Sequence, residues 1–269
     1  MIRLTVFTRP GCAKGKPRLH LGGVLIGCFL VFQVNPCFAQ QEPFSPSAVF
    51  YRGNLQYKGG SYKEAIASYE SIREKGFENG GLYYNLGNSY FKEGQLGKAV
   101  LNYERARRLM PRDSDLKSNY EFALAQVKNY MQEDKSFFKN FISRYTDFFA
   151  KDEMAISLLL IYLLLGTGFL LTIYWVPARR VLAPILVVLG VVLISQTILF
   201  RLKIQDQQNL AIVLQNTEAK FEPASNATTH FPLSEGQKVI ILDKEVGHAK
   251  IKRPDGKIGW VPAETVERI

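Results

Sequence analysis

The fold is decided by residues 83–111, which read YYNLGNSYFKEGQLGKAVLNYERARRLMP. The same spacing of small and aromatic residues occurs once more, 34 residues earlier in the chain. The matching pairs are Gly53 and Gly87, Gly60 and Gly94, Ala65 and Ala99, Tyr69 and Tyr103, and Ile72 and Ala106. A fixed period of this length is the signature of a repeat architecture, in which each unit buries its apolar face against its neighbour. We therefore predict two copies of a helical hairpin.

The residue types in the repeat suit two closely packed antiparallel helices. Gly87 and Ala99 are small enough for the helices to approach, and Tyr103 is large enough to fill the space between them. Pro111 ends the second helix because proline lacks an amide hydrogen and clashes with the preceding turn. The pattern resembles the tetratricopeptide repeat (TPR), with Tyr83 where tryptophan is usual. The fold class predicted for residues 46–130 is therefore a TPR α-solenoid.

A third helix is predicted from Ser114 to about Asn129, where it would cap the array. Its apolar residues recur at steps of four, three and four, which places them on one helical face. They are Leu116, Tyr120, Ala123 and Val127.

The TPR resemblance implies a groove that holds a peptide or a helix of a partner protein. The groove-facing residues that it implies are Phe50, Asn54, Tyr57, Lys58, Tyr84, Asn85, Asn88, Phe91 and Lys92. Asn54 and Asn85 occupy positions where some TPR proteins bind a C-terminal carboxylate, although Phe50 replaces the lysine of that clamp. The alternative is that these asparagines only cap or bridge helices.

Two uncharged apolar runs follow, at residues 154–176 and 181–200. About 20 apolar residues span the hydrocarbon core of a bilayer, so each run is long enough to cross it. The connection between them is four residues long and contains Arg179 and Arg180. We predict a transmembrane hairpin over residues 154–200, with both flanking modules on the same side.

The N-terminus has the features of a secretory signal peptide, predicted at residues 1–39. A basic stretch precedes the apolar segment Leu21 to Val34, and cleavage is expected after Ala39. Lipidation at Cys28 and an uncleaved first membrane helix are the alternatives. With the signal cleaved, the TPR and β-modules would face the periplasm from the inner membrane of a bacterium.

Removal of the signal peptide would also change the overall composition. It holds five basic residues ahead of the first acidic residue, Glu42, so the net charge of +10 would fall to about half. We therefore expect no nucleic-acid partner. All the cysteines, Cys12, Cys28 and Cys37, would be lost with it, which leaves no disulfide, cysteine nucleophile or thiolate metal site.

Residues 131–153 are predicted to form an amphipathic linker helix. Its aromatic and aliphatic face consists of Phe137, Phe138, Phe141, Ile142, Tyr145, Phe148 and Phe149. A helix of this kind can lie among the lipid headgroups. The alternative is that this face packs onto the capping helix of the array.

Residues 208–269 are predicted to form a small all-β domain. Short β-branched runs alternate with turn residues, and Asp255-Gly256 is a strong hairpin signal. The segment PDGKIGWVP at residues 254–262 resembles bacterial SH3-like barrels. Some of these bind cell-wall peptides, so Trp260 could line a ligand surface, or it could instead pack inside the barrel. A peptidoglycan-binding sensor or tether is the alternative function.

The order of signal peptide, TPR array, membrane hairpin and SH3-like domain resembles the BatE-like family of aerotolerance-operon proteins. The resemblance implies a scaffold in a complex with Bat proteins that contain von Willebrand type A domains and with a MoxR-type ATPase, linked to aerotolerance or envelope stress. His230 and His248 are the histidines outside the signal peptide, and neither has a neighbouring carboxylate cluster in the sequence. We therefore expect no enzymatic activity, no cofactor and no metal.

Overall fold

The structure is a computed structural model that describes residues 44–131, 137–224 and 226–269. The predicted signal peptide, with Cys28 and Ala39, lies outside the described residues. Its cleavage, lipidation and alternatives therefore stay predictions.

The first described segment forms a helical array. Its helices are α1 (Pro46–Lys58), α2 (Tyr62–Glu74), α3 (Gly80–Lys92), α4 (Leu96–Leu109) and α5 (Ser114–Ala125). Side-chain oxygens cap three of them: Ser45 accepts from the Ala48 amide at 3.4 Å, Asn79 from the Leu82 amide at 2.8 Å and Asp113 from the Leu116 amide at 2.9 Å. The pairs α1/α2 and α3/α4 are the two predicted hairpins, and α5 begins a third unit. The capping helix ends at Ala125, earlier than predicted.

Close contact between glycine and tyrosine explains the strongest matches in the repeat. A Cβ atom added to Gly53 would lie 2.6 Å from the Tyr69 ring, and one added to Gly87 would lie 2.6 Å from the Tyr103 ring. Both tyrosines are buried between the helices of their own hairpin. A side chain at either glycine would therefore push the paired helices apart.

Three further helices follow, of which the last two form an apolar hairpin. They are α6 (Phe137–Phe148), α7 (Lys151–Tyr174) and α8 (Arg179–Gln208), with a short 3-10 turn at Val176–Ala178. Both α7 and α8 are long and apolar enough to cross a membrane, and no residue in the most apolar 18-residue stretch of either helix is buried. They pack together closely, since a Cβ atom added to Gly168 would lie 2.7 Å from Leu186. Helix α8 continues beyond the predicted run and ends where the sheet begins.

The described residues 210–268 form seven antiparallel strands. These are β1 (Leu210–Val213), β2 (Thr217–Lys220), β3 (Thr229–Leu233), β4 (Lys238–Glu245), β5 (His248–Lys252), β6 (Ile258–Pro262) and β7 (Val266–Arg268). Their order in the sheet is β3-β2-β6-β5-β4-β1-β7. Strands β3 and β7 are edges that do not pair with each other, so the sheet is open and the predicted SH3-like barrel is not confirmed.

The sheet docks directly on the helical array, an arrangement that the sequence analysis did not predict. Ile212 of β1 is fully buried and belongs to the hydrophobic core of the array. The Gly97 amide at the start of α4 donates to Glu235 Oε1 at 2.8 Å. A Cβ atom added to Gly97 would lie 2.6 Å from the main-chain oxygen of Val213. The sheet therefore contributes Ile212 to the core of the array, while its other buried residues form a core of their own.

A buried ionic cluster centred on Glu104 of α4 reinforces this docking. The Glu104 carboxylate is fully buried, forms an ion pair with Lys238 of β4, and lies 3.0 Å from the Arg107 Nε. It also accepts a hydrogen bond from the Tyr120 hydroxyl at 2.5 Å. Burial alone would raise the pKa of Glu104, but the charges of Lys238 and Arg107 outweigh burial and lower the pKa below its usual range. Arg107 also lies 3.4 Å from Asp147 of α6, which extends the cluster toward the apolar hairpin.

Candidate functional site

A hydrogen-bonded bridge joins the first repeat to the second on the side of the array formed by α1 and α3. Asn54 Oδ1 accepts from the Tyr69 hydroxyl at 2.7 Å and from Asn85 Nδ2 at 2.9 Å. Both asparagines are buried, and these bonds compensate for the removal of Asn54 Oδ1 and Asn85 Nδ2 from water, whereas Asn85 Oδ1 accepts no hydrogen bond in the described part of the chain. Burial raises the pKa of Tyr69, which keeps its hydroxyl protonated as a donor.

The second repeat is joined to the capping helix by the same bridge, displaced by 34 residues. Asn88 Oδ1 accepts from the Tyr103 hydroxyl at 2.8 Å and from Asn119 Nδ2 at 2.9 Å. Asn119 Nδ2 also donates to the Tyr84 hydroxyl at 2.9 Å. Each bridge therefore fixes one helical hairpin to the first helix of the next unit.

Asn119 is not among the predicted groove residues, although the sequence contains the signal for it. Asn54 and Asn88 are 34 residues apart, and so are Asn85 and Asn119. Both pairs follow the offset that defines the repeat, and the bridge that they form agrees with the alternative that Asn54 and Asn85 join helices. A search of the same offset for polar residues would have found the bridge.

Aromatic rings and lysines lie at the surface beside these bridges. The Tyr57 ring lies 5.3 Å from the Tyr62 ring, and the Phe91 ring lies 5.6 Å from the ring of Phe122 on α5. Phe122 is 62% exposed. The surface also carries Lys58 and Lys92, which occupy equivalent places in the two repeats. We call the set Tyr57, Lys58, Phe91, Lys92 and Phe122 the groove surface.

The structure divides the predicted groove residues into two groups. Those in the interior are Phe50, Asn54, Tyr84, Asn85 and Asn88. Those that are exposed or half-buried are Tyr57, Lys58, Phe91 and Lys92. The interior group holds the array together, and partner binding by the outer group stays a prediction.

Trp260 lies on β6, in the middle of the sheet. Only 9% of its surface is exposed, and the Lys250 ammonium lies 5.5 Å from the centre of its ring system. A cell-wall peptide could stack on this ring only if neighbouring side chains moved. Ligand binding at Trp260 stays a prediction.

Comparison with known families identifies one segment of the chain. A model of the tetratricopeptide repeat matches residues 81–113, which contain most of α3 and all of α4. A comparison with curated proteins gives no significant match. The family match and the stacked helical hairpins together confirm that this is a TPR-containing protein.

Proposed function

We propose that this protein is a non-catalytic scaffold that binds partner proteins at the groove surface while α7 and α8 anchor it in a membrane. The observation that carries the proposal is the repetition of surface aromatic and basic residues on a TPR array. Tyr57 and Phe91 are 34 residues apart, as are Lys58 and Lys92. TPR arrays generally mediate contacts between proteins.

The chemistry of the groove surface suits a segment with apolar and acidic side chains. The Phe91 and Phe122 rings offer apolar contact area, while Lys58 and Lys92 offer positive charge. The amide nitrogens of Asn54 and Asn88 donate no hydrogen bond within the described part of the chain. Small movements of these side chains would let them bind main-chain carbonyl groups of the partner.

The proposed membrane anchor is supported by the exposed apolar surfaces of α7 and α8. Because the array and the sheet contact each other, both must lie in one aqueous compartment, and two crossings return the chain to the side from which it started. The predicted signal peptide and the loop residues Arg179 and Arg180 favour the periplasmic side for both modules.

The complex that this scaffold would assemble is inferred from the order of its modules. The order of modules resembles the BatE-like family, so the proposed partners are Bat proteins with von Willebrand type A domains and a MoxR-type ATPase. The proposed role is assembly of a membrane complex that supports aerotolerance or the response to envelope stress.

Photo-crosslinking in membranes tests the scaffold proposal. The photo-reactive amino acid p-benzoylphenylalanine would replace Phe122 on the groove surface, and in a matched control it would replace the fully exposed Val246 at a hairpin tip of the sheet. We expect a discrete crosslinked partner from Phe122 and none from Val246. No crosslink from Phe122, or the same products from both positions, would contradict partner binding at the groove surface.

A further inference from the structure

A cleft of 410 Å³ lies where the array, the C-terminal end of the sheet and the start of α7 meet. Its cationic residues are Arg73, Arg105, Arg108, Lys151 and Arg268. Its acidic residues are Glu78 and Asp152. The lining therefore carries an excess of positive charge, in a space large enough for a small anionic group.

Two of the cations are already paired with carboxylates. The Arg105 guanidinium lies 2.7 Å from Glu267, and the Arg73 guanidinium lies 2.5 Å from Glu70. These ion pairs hold the walls of the cleft in place, because Arg105 on α4 is thereby fixed to β7.

Lys151 and Arg268 differ, since neither side chain has a hydrogen bond or ion pair in the described part of the chain. Lys151 is half-buried at the first position of α7, where Arg108 repels its charge and the neighbouring Asp152 attracts it. Arg268 is exposed and lines the same cleft. Cations that line one cleft are stabilised when an anion binds among them.

The position of Lys151 indicates where that anion would come from. Lys151 lies three residues before Met154, where the apolar run of α7 begins, which corresponds to about 5 Å along the helix axis. If α7 crosses a membrane, Lys151 is at the depth of the lipid headgroups. The adjoining α6 exposes Phe137, Phe141 and Phe148, as helices at that depth do.

We propose that this cleft binds the phosphate group of an anionic phospholipid, with Lys151 and Arg268 contacting the phosphate oxygens. The inference rests on the proposed membrane anchor. A free phosphate ester from solution offers the same chemistry, so the test must separate the two sources.

The test is a titration of the purified full-length chain in detergent with phosphatidylglycerol or zwitterionic phosphatidylcholine, with bound lipid counted by native mass spectrometry. We expect tighter binding of phosphatidylglycerol. The double variant Lys151→Gln/Arg268→Gln should weaken it about 30-fold, since each surface cation contributes about 1 kcal/mol to binding of anionic lipid. The control Lys244→Gln/Lys257→Gln removes the same charge from exposed sites on the sheet and should leave binding unchanged. The variant Lys151→Arg should retain phosphatidylglycerol binding, because it keeps the positive charge.

Several results would overturn the inference. One is equal retention of phosphatidylglycerol by the wild type and the Lys151/Arg268 double variant. Another is an equal loss in the control variant, which would indicate charge alone. Displacement of the lipid by millimolar inorganic phosphate would assign the cleft to a solution phosphate instead. Release of the chain from membranes by alkaline carbonate would refute the proposed membrane anchor. A chain that resists carbonate but shows no preference for phosphatidylglycerol would refute only lipid binding at the cleft.

Discussion

At the scale of single residues, the array depends on buried amides and one buried carboxylate. A polar group inside a protein destabilises the fold unless it is hydrogen-bonded. The Oδ1 atoms of Asn54 and Asn88 meet this requirement through equivalent tyrosine and asparagine donors, and Glu104 meets it through Tyr120, Arg107 and Lys238. These side chains therefore determine how neighbouring units are joined.

The substitution Asn88→Ala should lower the free energy of unfolding by about 1–3 kcal/mol, because it leaves the Tyr103 hydroxyl without its buried acceptor. The exposed neighbour Lys92 provides the control, and Lys92→Ala should change stability by less than about 0.5 kcal/mol. Urea unfolding in detergent, followed by circular dichroism of the helices, measures both. Equal stability of the two variants would show that the bridge contributes little.

The lowered pKa of Glu104 predicts a dependence of stability on pH. Its carboxyl group has an ordinary pKa of 4.5 when unfolded and a lower one when folded, so the ionic cluster contributes fully above pH 4.5. The contribution is lost as the pH falls through the folded pKa. The wild type should therefore lose stability progressively as the pH falls below about 5. The variant Glu104→Gln should be less stable than the wild type at pH 7, but its stability should change less on acidification. Thermal unfolding at a series of pH values checks this, and parallel profiles for the two proteins would contradict it.

At the scale of elements, α4 belongs to both the array and the interface with the sheet. The sequence predicted the helices well because their signals are local: the 34-residue offset for α1 to α4, and continuous apolar runs for α7 and α8. It did not predict the docking, because Gly97 and Glu235 are 138 residues apart and neither is unusual in its own segment. Closure of a barrel likewise depends on pairing of distant strands, which turn residues such as Asp255-Gly256 do not determine.

The substitution Gly97→Ala tests the docking of α4 on β1. An alanine inside a helix normally stabilises it by about 1 kcal/mol relative to glycine. Here its Cβ atom would lie 2.6 Å from the main-chain oxygen of Val213, so we expect the sheet to dock less tightly. Faster hydrogen exchange in β1 would report this change.

The control is Gly166→Ala on α7, where an added Cβ atom has no neighbour within 4 Å. Hydrogen exchange in β1 of the Gly166→Ala variant should match that of the wild type. Unchanged exchange in Gly97→Ala as well would mean that the close contact between α4 and β1 can relax without loss of docking.

At the scale of the whole molecule, the array, the sheet and the apolar hairpin are joined at several points. Arg105 connects α4 to β7, Arg107 connects it to α6, and Arg112 forms an ion pair with Glu153 at the start of α7. A hairpin that returns the chain to its starting side is compatible with these contacts, whereas a single crossing is not. The proposed membrane anchor therefore requires that the array and the sheet lie on one side of the membrane.

The most direct test is labelling of single cysteines in intact cells with a membrane-impermeant maleimide. In a background with the native cysteines replaced by serine, the substitutions would be Lys58→Cys on the array, Arg180→Cys in the hairpin loop and Lys257→Cys on the sheet. We predict that positions 58 and 257 react alike and that position 180 behaves oppositely. Opposite labelling of positions 58 and 257, or equal labelling of all three, would contradict the account.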